Sequence, residues 1–194
     1  KFEDNATDAE GNFSSTTLPN VTFATGYIDK AAVFNGSNAY ITLPNSSSIA
    51  QQNNFTISFW VKPNGFVTYG TIATFYSDYR NYVDIRTGGV LGFKTTTTQL
   101  NTPSGSITDN VWQHIVLTKS SIAGTVIYVD TVSVATDSSD TGNASDFRGA
   151  SYPNTIGAFQ LTGGVSDFFP GSIDQFRIFN RAIDSGEVLQ LYNE

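Results

Sequence analysis

Between Tyr69 and Arg86 the chain sets Tyr69, Tyr76, Tyr79 and Tyr82 among Asp78, Arg80, Asn81, Asp84 and Arg86. Residues of these types recognise sugars without covalent chemistry. A flat aromatic ring covers the apolar C–H face of a pyranose, while amide, carboxylate and guanidinium groups satisfy its hydroxyls. The run YSDYRNY reads as a loop between two strands, so Asp78, Tyr79, Arg80 and Asn81, with Tyr69 ahead of them, are the candidate carbohydrate-binding residues. Tyr76 and Tyr82 fall inside strand patterns and suit core positions with their hydroxyls at the rim.

Covalent chemistry lacks its parts. The single histidine, His114, has no cysteine and no serine in a Gly-x-Ser-x-Gly elbow to work with, so no nucleophilic triad can be drawn. It reads as a structural residue that makes a hydrogen bond. A formal net charge of −7 with only 14% charged residues gives a sparse, acidic surface that repels phosphate backbones and excludes nucleic acid as a partner. Hydroxyls and amides take the place of charge in the loops, at Thr95 to Thr98, Ser46 to Ser48, and Ser138, Ser139 and Thr141. Such surfaces accompany extracellular, cell-surface or virion proteins. Glycosylation-type triplets begin at Asn5, Asn12, Asn20, Asn35, Asn45, Asn54 and Asn143, and in so Asn-, Ser- and Thr-rich a chain they carry little weight. The absence of cysteine rules out disulfides and leaves the redox compartment open. The absence of methionine implies a start within a longer precursor or after a removed leader. No apolar run is long enough to span a bilayer, so membrane insertion is not expected and any targeting signal lies elsewhere.

The elements that must position these residues are short strands. At 194 residues and 39% hydrophobic content, one sandwich-sized domain over residues 1–194 can bury roughly 70% of its unfolded surface. Apolar runs separated by Gly, Pro, Asn and Ser, with no helical period before the tail, predict an all-β sandwich. The predicted strands are the Phe2 region, Ala31 to Phe34, Ala39 to Leu43, Phe55 to Lys62, Gly70 to Tyr76, Tyr82 to Arg86, Val90 to Lys94, Trp112 to Lys119, Thr125 to Val129, Val132 to Thr136, Asn154 to Ile156 and Gly171 to Phe179. Trp60 and Trp112 read as core. Thr131, in the turn Asp130-Thr131, disfavours a primed hairpin and predicts a different geometry there. In the tail, Ile173, Phe176, Ile178 and Phe179 are interrupted by Asp174, Gln175 and Arg177, an exposed-and-buried strand. Asp184 and Ser185 then offer an N-cap, with Glu187 placed to return the hydrogen bond, so a short helical turn ends the chain.

That tail resembles the closing element of the laminin-G-like jelly rolls of the concanavalin A-like lectin/glucanase superfamily. Four further blocks support the resemblance in order: Phe34, Gly36, Tyr40, Ile41, Leu43 and Pro44 in an F-x-G-x-x-x-Y-I-x-L-P pattern, FTISFWVKP from Phe55, WQHIVLT from Trp112 and IYVD from Ile127. The opening KFEDNATDAEGN is similar to the family's first strand and turn. The resemblance implies a two-sheet antiparallel jelly roll. It also implies a structural Ca²⁺ held by Asp174, the carbonyl of Gly36 and an oxygen from Glu3 or Asp4, with carbonyls and waters completing a shell of 6 to 8 oxygens. Asp8 and Asn12 fit a side-chain-to-backbone turn better than a metal site. A second, pentraxin-like calcium at Asp137, Asp140 and Asp146 would need a terminal bidentate glutamate that DSSDTGNASD lacks, and a solvated loop is the better reading.

The superfamily's glucanases set an E-x-D-x-x-E array along one strand. Here the glutamates are Glu3, Glu10, Glu187 and Glu194, all near the ends, and the Gln-x-His and Tyr-x-Lys strands of jelly-roll lyases are missing. The expected function is therefore a non-catalytic, calcium-stabilised module that binds a glycan or polysaccharide beside neighbouring domains of a longer extracellular, cell-surface or virion polypeptide. The competing expectation is a structural or protein-interaction module of an adhesin or fibre with no sugar site.

Overall fold

The structure, a computed structural model, describes residues 2–7, 15, 17–43, 53–75, 81–95, 98–141, 153–161 and 163–194. In chain order its strands begin with β1 (Thr22–Thr25), β2 (Lys30–Asn35), β3 (Ile41–Leu43), β4 (Phe55–Pro63), β5 (Gly70–Thr74), β6 (Tyr82–Arg86), β7 (Val90–Lys94) and β8 (Gln99–Asn101). They continue with β9 (Gln113–Ser120), β10 (Gly124–Val129), β11 (Val132–Asp137), β12 (Asn154–Ile156), β13 (Phe159–Leu161), β14 (Gly164–Ser166) and β15 (Pro170–Phe179), before helix α1 (Ser185–Tyr192). Seven strands form one sheet in the order β1-β2-β15-β4-β9-β10-β11, and six form the facing sheet in the order β3-β12-β5-β6-β7-β8. Strand pairing within both is antiparallel, the expected jelly-roll sandwich.

Alternation along the strands builds the core. Phe55, Ile57, Phe59 and Val61 of β4 and Ile115 and Leu117 of β9 meet Val83, Ile85, Leu91 and Phe93 of β6 and β7 in one buried cluster. The intervening residues therefore face outward: Thr56, Ser58 and Trp60 on one sheet, Tyr82, Asp84 and Arg86 on the other. In β15 the pairing with β4 slips between Asp174 and Arg177, and Gln175 adopts φ 48°. This bulge inserts one residue, so Ile173 and Phe176, three apart, both reach the core.

The tail behaves as its sequence predicts. The Asp184 carboxylate accepts from Glu187 N at 2.9 Å and the Glu187 carboxylate from Asp184 N at 3.1 Å, a complete capping box. Arg181 adds a two-pronged pair to Glu187 at 2.8 and 2.6 Å. This holds the Glu187 carboxyl below its usual range. Helix α1 lies on the outer face of the seven-stranded sheet, where Val188 packs with Ile183 and Val116.

Three expectations are corrected. Asp130 and Thr131 have φ values of 47° and 74°, so the β10–β11 turn is primed despite the β-branched Thr131. Thr131→Gly is accordingly expected to raise stability by about 0.5–1 kcal/mol in chemical denaturation, because relief of the left-handed strain outweighs the entropy of the unfolded glycine. Trp112 is only half-buried rather than core, whereas Trp60 is buried as expected, though on the outer face between Tyr27 and Tyr192. Asp140 belongs to no solvated loop. It is fully buried, with Lys119 Nζ at 2.7 Å from Oδ1 and Thr125 Oγ1 donating to Oδ2 at 2.6 Å. An ammonium thus fills the place a cation would take. Asp137 instead accepts from the Ser139 amide and hydroxyl, and Asp146 lies outside the described residues.

Candidate functional site

The polar residues that converge do so on the outer face of the six-stranded sheet. Thr71, Asp84, Gly92 and Asn101 stand directly across from one another on β5, β6, β7 and β8. Two residues along β6, β7 and β8, and three along β5 where the register slips, Thr74, Tyr82, Lys94 and Gln99 form a second such row. The Tyr82 ring meets Phe159 of β13 edge-on at 5.2 Å. The β13–β14 hairpin thereby roofs one side of the face, with Thr74 and Thr155 both donating to the Ala158 carbonyl. The rest of this face, over β6, β7 and β8, forms a shelf on which Gln99 and Asn101 are exposed and Tyr82, Arg86 and Lys94 half-buried.

Arg86 is fixed along this shelf. Its Nε donates to Asp84 Oδ2 at 2.9 Å, its Nη1 reaches Asn101 Oδ1 at 3.3 Å, and its guanidinium carbon lies 5.4 Å from the centre of the Tyr69 ring. Tyr69 itself is 49% exposed. Asp84 is buried, and its Oδ1 has no hydrogen-bond partner. Burial raises its pKa above the usual carboxylate value, against the opposing pull of Arg86 and, more weakly, of the Gly92 main chain. Burial, followed by the Asp84 charge, likewise raises that of Tyr82. Gly92 makes room for the pair: a Cβ built there would lie 2.3 Å from Asp84 Oδ1 and 2.7 Å from Arg86 Nη2. Asp167, exposed at the shelf's edge, accepts from Thr71 N at 2.9 Å through its carbonyl.

Of the expected sugar-contacting residues, Tyr69 stands on this shelf. Asn81 is buried at the opposite end of the β5–β6 hairpin, where its carbonyl accepts from Phe75 N at 2.7 Å. Asp78, Tyr79 and Arg80 lie outside the described residues. The converging side chains come from the strand after the YSDYRNY loop rather than from the loop itself. The signal was present in Tyr82-x-Asp84-x-Arg86, whose alternation puts three ligand-type side chains on one face while Val83 and Ile85 fill the core.

The residues expected to hold calcium are divided. Asp174 is fully buried, with Oδ2 accepting from Ile28 N at 2.9 Å and Oδ1 from Gln175 N at 2.6 Å. Asp4 pairs with Lys30, and Glu3 keeps one buried oxygen without a partner. Gly36 follows Asn35, which stands opposite Pro170, whereas Asp174 is four residues further along β15, about 13 Å at 3.3 Å per residue. The Gly36 carbonyl and the Asp174 carboxylate therefore do not share a shell. Among the described residues no three Asp, Glu or His side chains converge. Asp174 instead ties the β1–β2 turn to the last strand through main-chain N–H groups.

His114 lies on the other sheet, beneath helix α1. Its Nε2 is 2.9 Å from Ser58 Oγ, and its ring sits 5.1 Å from that of Trp60 and 6.1 Å from that of Tyr192. Burial, reinforced by the nearby Arg177 charge, lowers its pKa from 6.5 to about 4. Because the unfolded chain binds this proton more readily, stability should fall as pH drops from 6.5 towards 4, by about 3 kcal/mol at most, and then level off as far as this group is concerned. Denaturation at stepped pH checks this, with His114→Gln expected to flatten that part of the profile.

The chain is similar to several known proteins. A family model described as the concanavalin A-like lectin/glucanases superfamily matches residues 35–189. Paraclostridial mosquitocidal protein 1 of Paraclostridium bifermentans is 26% identical over 178 residues, covering 77% of this chain but only 14% of that protein. The solved binding domain of the same protein superposes with a TM-score of 0.74 at 21% identity, over 100% of this chain and 53% of that one. Domain 4 of an extracellular arabinanase from Geobacillus stearothermophilus, solved in complex with arabinotriose, gives a TM-score of 0.73 at 22% identity over 97% and 93% of the two chains. The ligand-binding domain of botulinum neurotoxin serotype D, solved with N-acetylneuraminic acid, gives 0.73 at 17% identity over 96% and 47%.

Proposed function

The chain belongs to the concanavalin A-like lectin/glucanases superfamily, and on that premise we propose that it is a non-catalytic module that binds saccharides on the shelf of its six-stranded sheet. The observation that carries this reading is the half-exposed Tyr69 ring beside a guanidinium held in place by Asp84 and Asn101. An apolar plane next to oriented hydrogen-bonding groups is what a sugar ring requires. The arabinanase domain solved with arabinotriose and the neurotoxin domain solved with N-acetylneuraminic acid support a saccharide as the ligand class. In this reading the module works in an extracellular, cell-surface or virion setting, and the extracellular arabinanase supports it.

A catalytic role finds little support. Asp84 is engaged with Arg86, Glu187 caps helix α1, and His114 is buried on the opposite sheet. Affinity electrophoresis through gels containing soluble polysaccharides tests the reading. Tyr69→Ala and Arg86→Ala are each expected to weaken retention about tenfold, the loss of roughly 1.4 kcal/mol of stacking or hydrogen bonding, with an unchanged circular dichroism spectrum. Retention that survives both substitutions would place any saccharide site elsewhere.

A further inference from the structure

We infer that the shelf selects neutral saccharides over carboxylated ones, a deepening that rests on the shelf being a saccharide site. Among the described residues the charges on and around it are matched: Arg86 and Lys94 stand against Asp84 and Asp167, on a chain whose formal net charge is −7. A guanidinium that grips a carboxylate offers it two parallel N–H groups. On Arg86 the Nε edge already serves Asp84 and Nη1 serves Asn101.

What the shelf offers beside Gly92 is a donor next to an acceptor. Arg86 Nη2 and Asp84 Oδ1 both lie within 2.7 Å of the place a Cβ on Gly92 would occupy, and Oδ1 is buried without a partner. A hydroxyl, which donates and accepts at once, complements both atoms after a small side-chain movement. A carboxylate only accepts, so it satisfies Nη2 while facing Oδ1 as a like charge. Asp167 extends that repulsion to the edge of the shelf. The tyrosine ring supplies a stacking plane that is indifferent to charge.

Calorimetric titration with two sets of probes tests this: arabinotriose, xylotriose and cellotriose as neutral ligands, N-acetylneuraminic acid and trigalacturonic acid as carboxylated ones. At least one neutral probe is expected to bind tenfold or more tightly than either acid. Asp84→Asn is expected to weaken that probe about tenfold and to narrow or reverse the gap, because the like charge is gone. Equal or tighter binding of an acid by the unaltered chain overturns the inference and leaves the saccharide reading standing. Binding of none of the probes overturns both.

Discussion

Replacing Asp140 with alanine is expected to lower stability by about 3–5 kcal/mol, because it leaves the Lys119 ammonium buried and without its counter-charge. Lys119 and Asp140 are both fully buried, and Lys119 Nζ also donates to the Asp140 main-chain carbonyl at 2.9 Å. At about 2–4 °C per kcal/mol for a chain of this length, the melting temperature should fall by roughly 6–20 °C. The double variant Lys119→Met, Asp140→Leu removes both charges and should recover much of the loss. If Asp140→Ala costs less than about 1 kcal/mol in a denaturant titration, the pair is not desolvated in solution.

Gly92→Ala should separate binding from folding. The three atoms nearest the added methyl would all be side-chain atoms, Asp84 Oδ1 at 2.3 Å and Arg86 Nη2 and Cζ at 2.7 and 3.1 Å. Both side chains can turn away, and alanine suits a strand better than glycine does, so the melting temperature should change by no more than a few degrees. Displacing them undoes the arrangement beside Tyr69. Saccharide affinity should fall by tenfold or more, read by the same titration that tests the unaltered chain. Full affinity in this variant would show that the Asp84–Arg86 pair takes no part in recognition.

Much of the framework could be read from residue order. Strands β6, β7 and β12 run over the residues their alternation predicts, and the capping box at Asp184 and Glu187 closes as its spacing requires. The strands that escaped reading, β1, β8, β13 and β14, are only three or four residues long, too short to show an apolar period, and β1 and β8 are mostly exposed besides. Asp140 was illegible for another reason. Its Ser-, Gly- and Asn-rich surroundings look solvated, and its partner Lys119 is 21 residues away on another strand. The candidate site was half legible, because Tyr69, Tyr82, Asp84 and Arg86 share one stretch while Gly92 and Asn101 join them only through strand pairing and Asp167 through a main-chain hydrogen bond to Thr71. Asp174 and Gly36 were linked by resemblance, and the register of β15 against β2 keeps them apart.

The placement of the indoles gives the molecule two optical reporters. Trp60 is enclosed by Tyr27, Tyr192 and His114, whereas Trp112 is partly open to solvent. Emission from Trp60 should therefore lie to the blue of that from Trp112 and resist an aqueous quencher. An imidazolium quenches a neighbouring indole, so protonation of His114 would dim the blue component first and make acid-induced loosening beneath the terminal helix visible before the sandwich itself opens.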